Sequence, residues 1–323
     1  MLQEFKGWWE LAGLPKFVTT LVPFLLGAVV AWTEKHMDVL ALIFSLAALF
    51  LMTAFCFVLN ACSVYSDLRR RGVSFRSRGH GLADLFSTAA SGRFDALVSG
   101  KISVERATAG AYLCALLSIP LGLILQFWLR TGRLTLVLGA FGLLLMFSYS
   151  RGPKLSYHGL GEVALAGGVG WLTVFSGYYL QAHEVSLKPT LVALPLMIEA
   201  FKLKLLRELP DVHLDGLIDR RTLAVRLGRE KIIRACMPLT LVTWASFLLL
   251  PPLGVRPLTL IVLAAPGYFT LRSLVSIRRG LWRTEEGLER VCRDAFTGMI
   301  LIPLALIGVF ALNAIEPPRL TPE

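Results

Sequence analysis

The sequence predicts an all-α integral membrane protein with nine transmembrane helices around a central cavity and a cytoplasmic cap. Composition is the first reason: 55% of the 323 residues are hydrophobic and 17% charged, with a mean hydropathy of +0.65, whereas soluble domains carry about 25% charge. The second is segmentation, because a membrane helix needs about 20 apolar residues and the apolar share supplies roughly nine such runs. The third is a one-sided distribution of basic residues. Together they exclude a soluble enzyme.

Apolar runs bounded by charged or Pro/Gly-containing loops fall at about 17–34, 39–62, 106–128, 134–149, 160–181, 190–206, 232–250, 257–275 and 294–314. Nine helices put the two termini on opposite faces. The N-terminal segment and the loops after the second, fourth, sixth and eighth runs carry 27 of the 33 Lys and Arg residues. By the positive-inside rule that face is expected to be cytoplasmic in a multi-pass membrane protein. The net charge of +11 is thereby assigned to one face of a lipid bilayer, and a nucleic-acid partner is not needed to explain it. Met1–Trp9 lacks the pattern of a removable signal peptide, so the first span is expected to be retained. Cys56, Cys62, Cys114, Cys236 and Cys292 form no CxxC pair and read as small apolar residues. No internal boundary appears, so residues 1–323 read as one domain, with cap elements at about 63–105, 150–158 and 207–230. A connection as long as 63–105, with apolar segments such as Leu82–Phe86, reads as a folded lid or binding element.

At the end of the sixth run, Glu208, Asp211, Asp215 and Asp219 are spaced by three, four and four residues. On a continuous α-helix they would fall within about 80° of one another. Four carboxylates on one face repel unless cations occupy them, and such hard oxygen donors suit Mg²⁺, which completes its shell with water and phosphate oxygens. Pro210 predicts a kink or restart just before Asp211. The second run ends with Asn60, Ser63, Asp67 and Arg71 at the same offsets, as two halves of a quasi-repeat facing one cavity would. Asn60 lies at a depth where a polar group needs a partner. After the fourth run, the Gly152–Pro153 turn sets Arg151 and Lys154 beside Tyr149 and Tyr157; these cations could hold a diphosphate and the phenols could hydrogen-bond it or flank a carbocation. His158 and His213 read as structural or surface residues, and Glu199 as a partner for Lys202.

These segments resemble the UbiA superfamily of intramembrane aromatic prenyltransferases, in particular the branch that prenylates 1,4-dihydroxy-2-naphthoate for menaquinone. Glu208-Leu-Pro-Asp-Val-His-Leu-Asp followed by Arg221-Thr-Leu-Ala-Val-Arg-Leu-Gly is similar to the family's second aspartate-rich motif and its sequel. Tyr149–Lys154 and Tyr157-His-Gly-Leu-Gly-Glu resemble the segment after the fourth helix. Asp95-Ala-Leu-Val-Ser-Gly is similar to an Arg-Pro-Leu-x-Ser-Gly element, with Asp95 and Ala96 in place of Arg and Pro. The first motif, Asn-Asp-x-x-Asp-x-x-x-Asp, falls on Ser63, Val64, Asp67 and Arg71 and keeps only its middle acid. Arg207 stands where a related form of the second motif has Asn.

The resemblance implies Mg²⁺-dependent transfer of a polyprenyl group from an isoprenyl diphosphate to a small aromatic acceptor. It assigns metal binding to Asp67, Glu208, Asp211, Asp215 and Asp219. Substrate binding goes to Asn60, Arg151, Lys204, Arg207, Arg221 and Tyr157, and catalytic roles to Asp67, Asp211, Asp215, Lys154 and Tyr149. Either a carboxylate or Tyr149 takes up the ring proton. Losing acids while gaining Arg71 and Arg207 weakens a two-metal site by Coulomb's law. Two readings therefore stand: one Mg²⁺ held mainly by the second motif, with arginines neutralising part of the diphosphate, or a catalytically impaired prenyl-lipid-binding or assembly protein. An ion-coupled transporter is the third, disfavoured because the charges sit at helix ends.

Overall fold

The computed structural model describes residues 2–75 and 93–315. Among them there is no strand, and each of the nine expected apolar runs is helical. The chain runs α1 (Leu2–Ala12), α2 (Val18–Thr33), α3 (Val39–Arg70), α4 (Asp95–Val98), α5 (Val104–Leu123), α6 (Thr135–Ser150), α7 (Gly161–Leu165), α8 (Thr173–Ala182), α9 (Lys188–Glu208), α10 (Val212–Leu217), α11 (Leu223–Leu227), α12 (Arg229–Ser246), α13 (Ala264–Arg278) and α14 (Glu285–Ile315). A π-helical stretch over residues 166–172 joins α7 and α8 into one segment, Gly161–Ala182.

Among the described residues six helical segments are long and apolar enough to cross a membrane, and Val18–Thr33 and Thr135–Ser150 are shorter apolar helices. The expected sixth span, α9, falls outside both groups because of its charges. It turns Glu199, Lys202 and Glu208 inward, each at most 4% exposed. Lys202 Nζ donates to Glu199 Oε1 at 2.7 Å and to Thr240 of α12 at 2.8 Å, so the predicted Glu199–Lys202 pair is present. Such burial is sustainable because each charge has a partner.

Helices α2 and α8 approach most closely at two glycines. A Cβ on Gly27 would lie 2.0 Å from the Val174 carbonyl oxygen, and one on Gly177 would lie 2.0 Å from that of Phe24. Small residues at such a crossing let backbones touch, which is how helices associate where lipid removes the hydrophobic drive between them. Helix α3 packs on α5, α9 on α12, and α13 on α14, while α14 also packs on α2 and α9. The sequence reading did not anticipate α1, which packs against α3 and α4. Its Glu10 accepts from Lys101 at 2.7 Å.

Within the expected cap element 63–105, Tyr65, Phe75 and Phe94 form a mutual aromatic cluster with centroids 5.5–5.6 Å apart. Leu82–Phe86 lies outside the described residues. All five cysteines are free thiols, and Cys62, Cys236 and Cys292 are buried as expected.

Candidate active site

A cavity of about 680 Å³ is walled by α2, α3, α5, α6, α8, α9 and α14. Most of its lining is apolar, including Leu123, Leu136, Leu143, Met146, Leu172 and Met299. Ile119 and Leu123 of α5 and Ala140 of α6 line it and are themselves solvent-exposed, so the cavity is open along these two helices. Its polar end is formed by Asn60, Arg93, Tyr149, Lys204, Arg207, Glu208 and Asp211. Cations and acids thus share one end of an apolar chamber.

The expected single face of four carboxylates is not what the chain forms. Helix α9 ends at Glu208, and Leu209-Pro210 turns the backbone before α10 begins at Val212. Proline lacks an N–H and its ring obstructs the preceding turn, so the restart predicted at Pro210 breaks the periodicity that would align the acids. A second break follows α10, where Asp219 adopts a left-handed φ of 55°. Its carboxylate points outward, 71% exposed, and pairs with Arg71 at 2.8 Å. Asp219 therefore does not face the cavity. The quasi-repeat survives in another form, since the two residues at matching offsets, Arg71 and Asp219, contact one another. On the α3 side the stripe holds: the helix is continuous through Asn60, Ser63 and Asp67 to Arg70.

Behind the polar end runs a continuous ladder of charge. Lys154 Nζ donates to Asp67 Oδ2 at 2.8 Å, and the Tyr157 hydroxyl donates to the same oxygen at 2.7 Å. Lys154 also sits 4.4 Å from the Tyr157 ring centroid, a cation–π geometry reached through a left-handed backbone with φ of 49°. The Arg220 guanidinium lies 5.9 Å from the other aspect of this cluster, the Tyr157 ring centroid. It donates to Asp215 Oδ1 at 2.9 Å and to Glu208 Oε1 at 3.3 Å. Glu208 in turn pairs with Lys204, which stands 5.7 Å from the Tyr149 ring centroid. Burial and the Asp67 carboxylate push the Tyr157 phenol above its usual range, so it stays protonated and donates. Burial works against the Arg220 charge, yet the Asp215 carboxylate and the neighbouring phenols raise its pKa overall.

The sequence-derived site residues thus separate into three groups, with Arg151 apart from them. Asn60, Tyr149, Lys204, Arg207, Glu208 and Asp211 line the cavity. Asp67, Lys154, Tyr157 and Asp215 form the ladder behind it. Asp219 and Arg221 are exposed; Arg221 contributes its backbone N–H to the Tyr157 carbonyl at 2.9 Å. Arg151 is half-buried off the cavity lining, with its Nε making no hydrogen bond. His213 and His158 are at the surface as expected, and the His158 carbonyl accepts from Arg226 at 2.8 Å.

Three residues were missed by the sequence reading. Arg93 lines the polar end, where burial and the charge of Arg220 lower its pKa despite the opposing pull of Asp211; the signal was a cation two residues before the altered Asp95-Ala-Leu-Val-Ser-Gly element. Arg220 is the inward member of an Arg-Arg pair, and the left-handed Asp219 turn decides which of the two points in. Glu162, 1% exposed, accepts the Leu223 N–H at 2.8 Å and so ties the start of α7 to the start of α11.

Among the described residues, no three Asp, Glu, His or Cys side chains are gathered into a metal cage. Two buried carboxylate oxygens, Glu208 Oε2 and Asp215 Oδ2, make no hydrogen bond. Mg²⁺ usually binds through one or two carboxylates together with phosphate oxygens and water, so this hard donor pair fits one such ion accompanied by a phosphate group.

The candidate site is thus an apolar chamber within a bundle of apolar helices, ending in buried cations and acids. The chain belongs to the UbiA prenyltransferase family, which it matches over residues 20–286. Among curated relatives it is 24% identical over 223 residues to the 1,4-dihydroxy-2-naphthoate octaprenyltransferase of Bacillus subtilis, covering 69% of this chain and 66% of that protein. The corresponding Escherichia coli enzyme is 31% identical over 105 residues, covering 32% of this chain and 34% of that protein. The match thus spans just under two thirds of the first relative and about one third of the second. Among solved structures, a digeranylgeranylglyceryl phosphate synthase aligns with a TM-score of 0.63 at 16% identity, over 95% of this chain and 98% of that one. A UbiA homologue from Archaeoglobus fulgidus bound to DMAPP and Mg²⁺ aligns with a TM-score of 0.61 at 16% identity, over 94% and 99%.

Proposed function

We propose that this protein transfers a polyprenyl group from an isoprenyl diphosphate to a small aromatic acceptor such as 1,4-dihydroxy-2-naphthoate, with Mg²⁺ as cofactor. The observation that carries this reading is the cavity itself, whose apolar walls end on Arg93, Lys204, Arg207, Glu208 and Asp211. The prenyl tail lies along the apolar walls and extends through the opening along α5 and α6. The diphosphate meets the cations at the polar end. Glu208 and Asp215 are the residues that would hold Mg²⁺, with Asp211 beside them, and the ion would offset charge on the departing diphosphate.

The allylic C–O bond breaks with its electron pair leaving on the diphosphate, and Arg93, Lys204 and Arg207 stabilise that developing charge. A ring carbon of the acceptor supplies the electron pair for the new C–C bond. The ring proton passes to a carboxylate of the polar end or to Tyr149, both of which border the cavity. The leucine and methionine walls keep water from the allylic cation. Asp67 acts at one remove by fixing Lys154 and Tyr157.

We further infer that all nine apolar helical segments cross a bacterial cytoplasmic membrane as one domain. The basic loops, with cap elements at about 63–105, 150–158 and 207–230, lie on the cytoplasmic side, a placement supported by their 27 of 33 basic residues. The reading is tested by incubating membranes that contain the protein with labelled geranylgeranyl diphosphate or a longer homologue, Mg²⁺ and candidate acceptors. Prenylated acceptor and equimolar pyrophosphate are expected, and Asp215→Ala should abolish both while the protein remains folded in the membrane. Binding without pyrophosphate release would overturn the reading in favour of a prenyl-lipid-binding protein.

A further inference from the structure

Arg220 occupies an unusual position. Its side chain is 2% exposed, and it lies between two acids from different segments, 2.9 Å from Asp215 Oδ1 and 3.3 Å from both Glu208 oxygens. Those acids are themselves buried, Glu208 at 4% and Asp215 at 1% exposure. Lys204 contacts Glu208 from the cavity side. A buried carboxylate pair must be neutralised, and here the chain performs that neutralisation itself. What is left without a hydrogen bond is one oxygen on each acid, Glu208 Oε2, which Arg220 meets only as an ion pair at 3.3 Å, and Asp215 Oδ2.

The opposite half-site is closed in the same way. Of the first-motif positions, Ser63, Val64 and Arg71 offer no carboxylate, and the remaining acid, Asp67, has one oxygen engaged by both Lys154 and Tyr157. Among the described residues the second-motif acids present two carboxylate oxygens without a hydrogen bond, Glu208 Oε2 and Asp215 Oδ2, beside the buried Asp211, and Mg²⁺ bound through one or two carboxylates completes its shell with phosphate oxygens and water. A metal approaching without phosphate also meets the positive charge of Arg220 and Lys204 at contact range.

We propose that Arg220 is a resident counter-cation that keeps the Glu208–Asp215 pair closed to free divalent metal, so that the protein takes up a single divalent ion and only together with a diphosphate. This rests on the diphosphate reading given above. The diphosphate draws Lys204 and Arg220 toward its own oxygens and supplies ligands that the protein lacks, which makes metal and diphosphate binding mutually dependent by linkage.

The test is equilibrium dialysis of the full chain in detergent against Mn²⁺, with and without inorganic pyrophosphate, measuring the excess metal and the excess radiolabelled pyrophosphate on the protein side. The expected result is no retained Mn²⁺ at millimolar metal alone, and one Mn²⁺ per chain when pyrophosphate is present. Arg220→Gln should gain Mn²⁺ binding without pyrophosphate, an effect that unfolding does not produce. Asp215→Asn should lose the pyrophosphate-dependent Mn²⁺ while keeping its elution volume on size exclusion. Equal Mn²⁺ binding with and without pyrophosphate, two ions per chain, or no gain in a folded Arg220→Gln would each overturn the proposal. Retained pyrophosphate with any of those results leaves the diphosphate reading intact, whereas absence of pyrophosphate binding overturns both.

Discussion

Lys154 Nζ lies 2.8 Å from Asp67 Oδ2, so the one acid retained in the first motif is tied to the loop that follows α6. With the Tyr157 hydroxyl on the same oxygen, Asp67 orients a cation and a phenol from one point. Hydrogen bonds to a charged group contribute about 1.5–3 kcal/mol each, and each 1.4 kcal/mol is a factor of about ten in rate. Asp67→Asn should therefore lower prenyl transfer by about ten- to a hundredfold, with the protein still folded. Initial rates in membranes containing equal amounts of each variant check this.

Arg93 should act on the diphosphate donor and not on the acceptor. Replacing it with Gln removes a cation from the polar end without opening space in the apolar walls. The expected change is a rise of about tenfold or more in the KM for the isoprenyl diphosphate, with the acceptor KM unaltered. Steady-state kinetics varying each substrate in turn separate the two.

The α2–α8 crossing tolerates no side chain. Gly27→Ala and Gly177→Ala each drive a methyl group into a backbone carbonyl at 2.0 Å, and overpacking of this kind should cost about 3 kcal/mol or more. Both variants should melt at lower temperature in detergent. Gly139→Ala, where nothing lies within 4 Å, should melt as the parent does.

The Glu199–Lys202 pair predicts strong non-additivity. Lys202→Met leaves the Glu199 charge buried and uncompensated, a loss of about 3–5 kcal/mol. Glu199→Leu together with Lys202→Met should recover most of that stability. Thermal denaturation of the two single variants and the double variant closes the cycle.

Arg71 and Asp219 should behave oppositely despite an equally short contact. Their side chains are 58% and 71% exposed, and solvent-exposed pairs contribute at most about 1 kcal/mol. Arg71→Ala is expected to leave the melting temperature within about 2 °C of the parent.

The sequence made the helices legible because bilayer-length apolar runs carry their own signature, and each one coincides with a helical segment. It made the second motif legible as a set of residues but not as a geometry. A 3-4-4 spacing implies a common face only if the helix continues, and Pro210 and the left-handed Asp219 interrupt it twice. Arg220 and Arg221 are chemically identical in the sequence, and only the direction of that turn makes one a buried ion-pair partner and the other a surface residue. Arg93 was hidden for a related reason, since its place at the cavity follows from tertiary packing that no local spacing encodes. The amphipathic α1 carries too little apolar length to register as a span, although its packing on α3 and α4 makes it part of the folded core.

The opening along α5 and α6 has a kinetic corollary. A donor that enters there arrives by diffusion within the lipid sheet, so the quantity that governs saturation is its mole fraction among the lipids and not its molarity in the tube. Adding inert phospholipid at constant donor and enzyme should slow turnover by surface dilution, and a product that leaves through the same gap remains in the leaflet where a second membrane-bound enzyme can meet it.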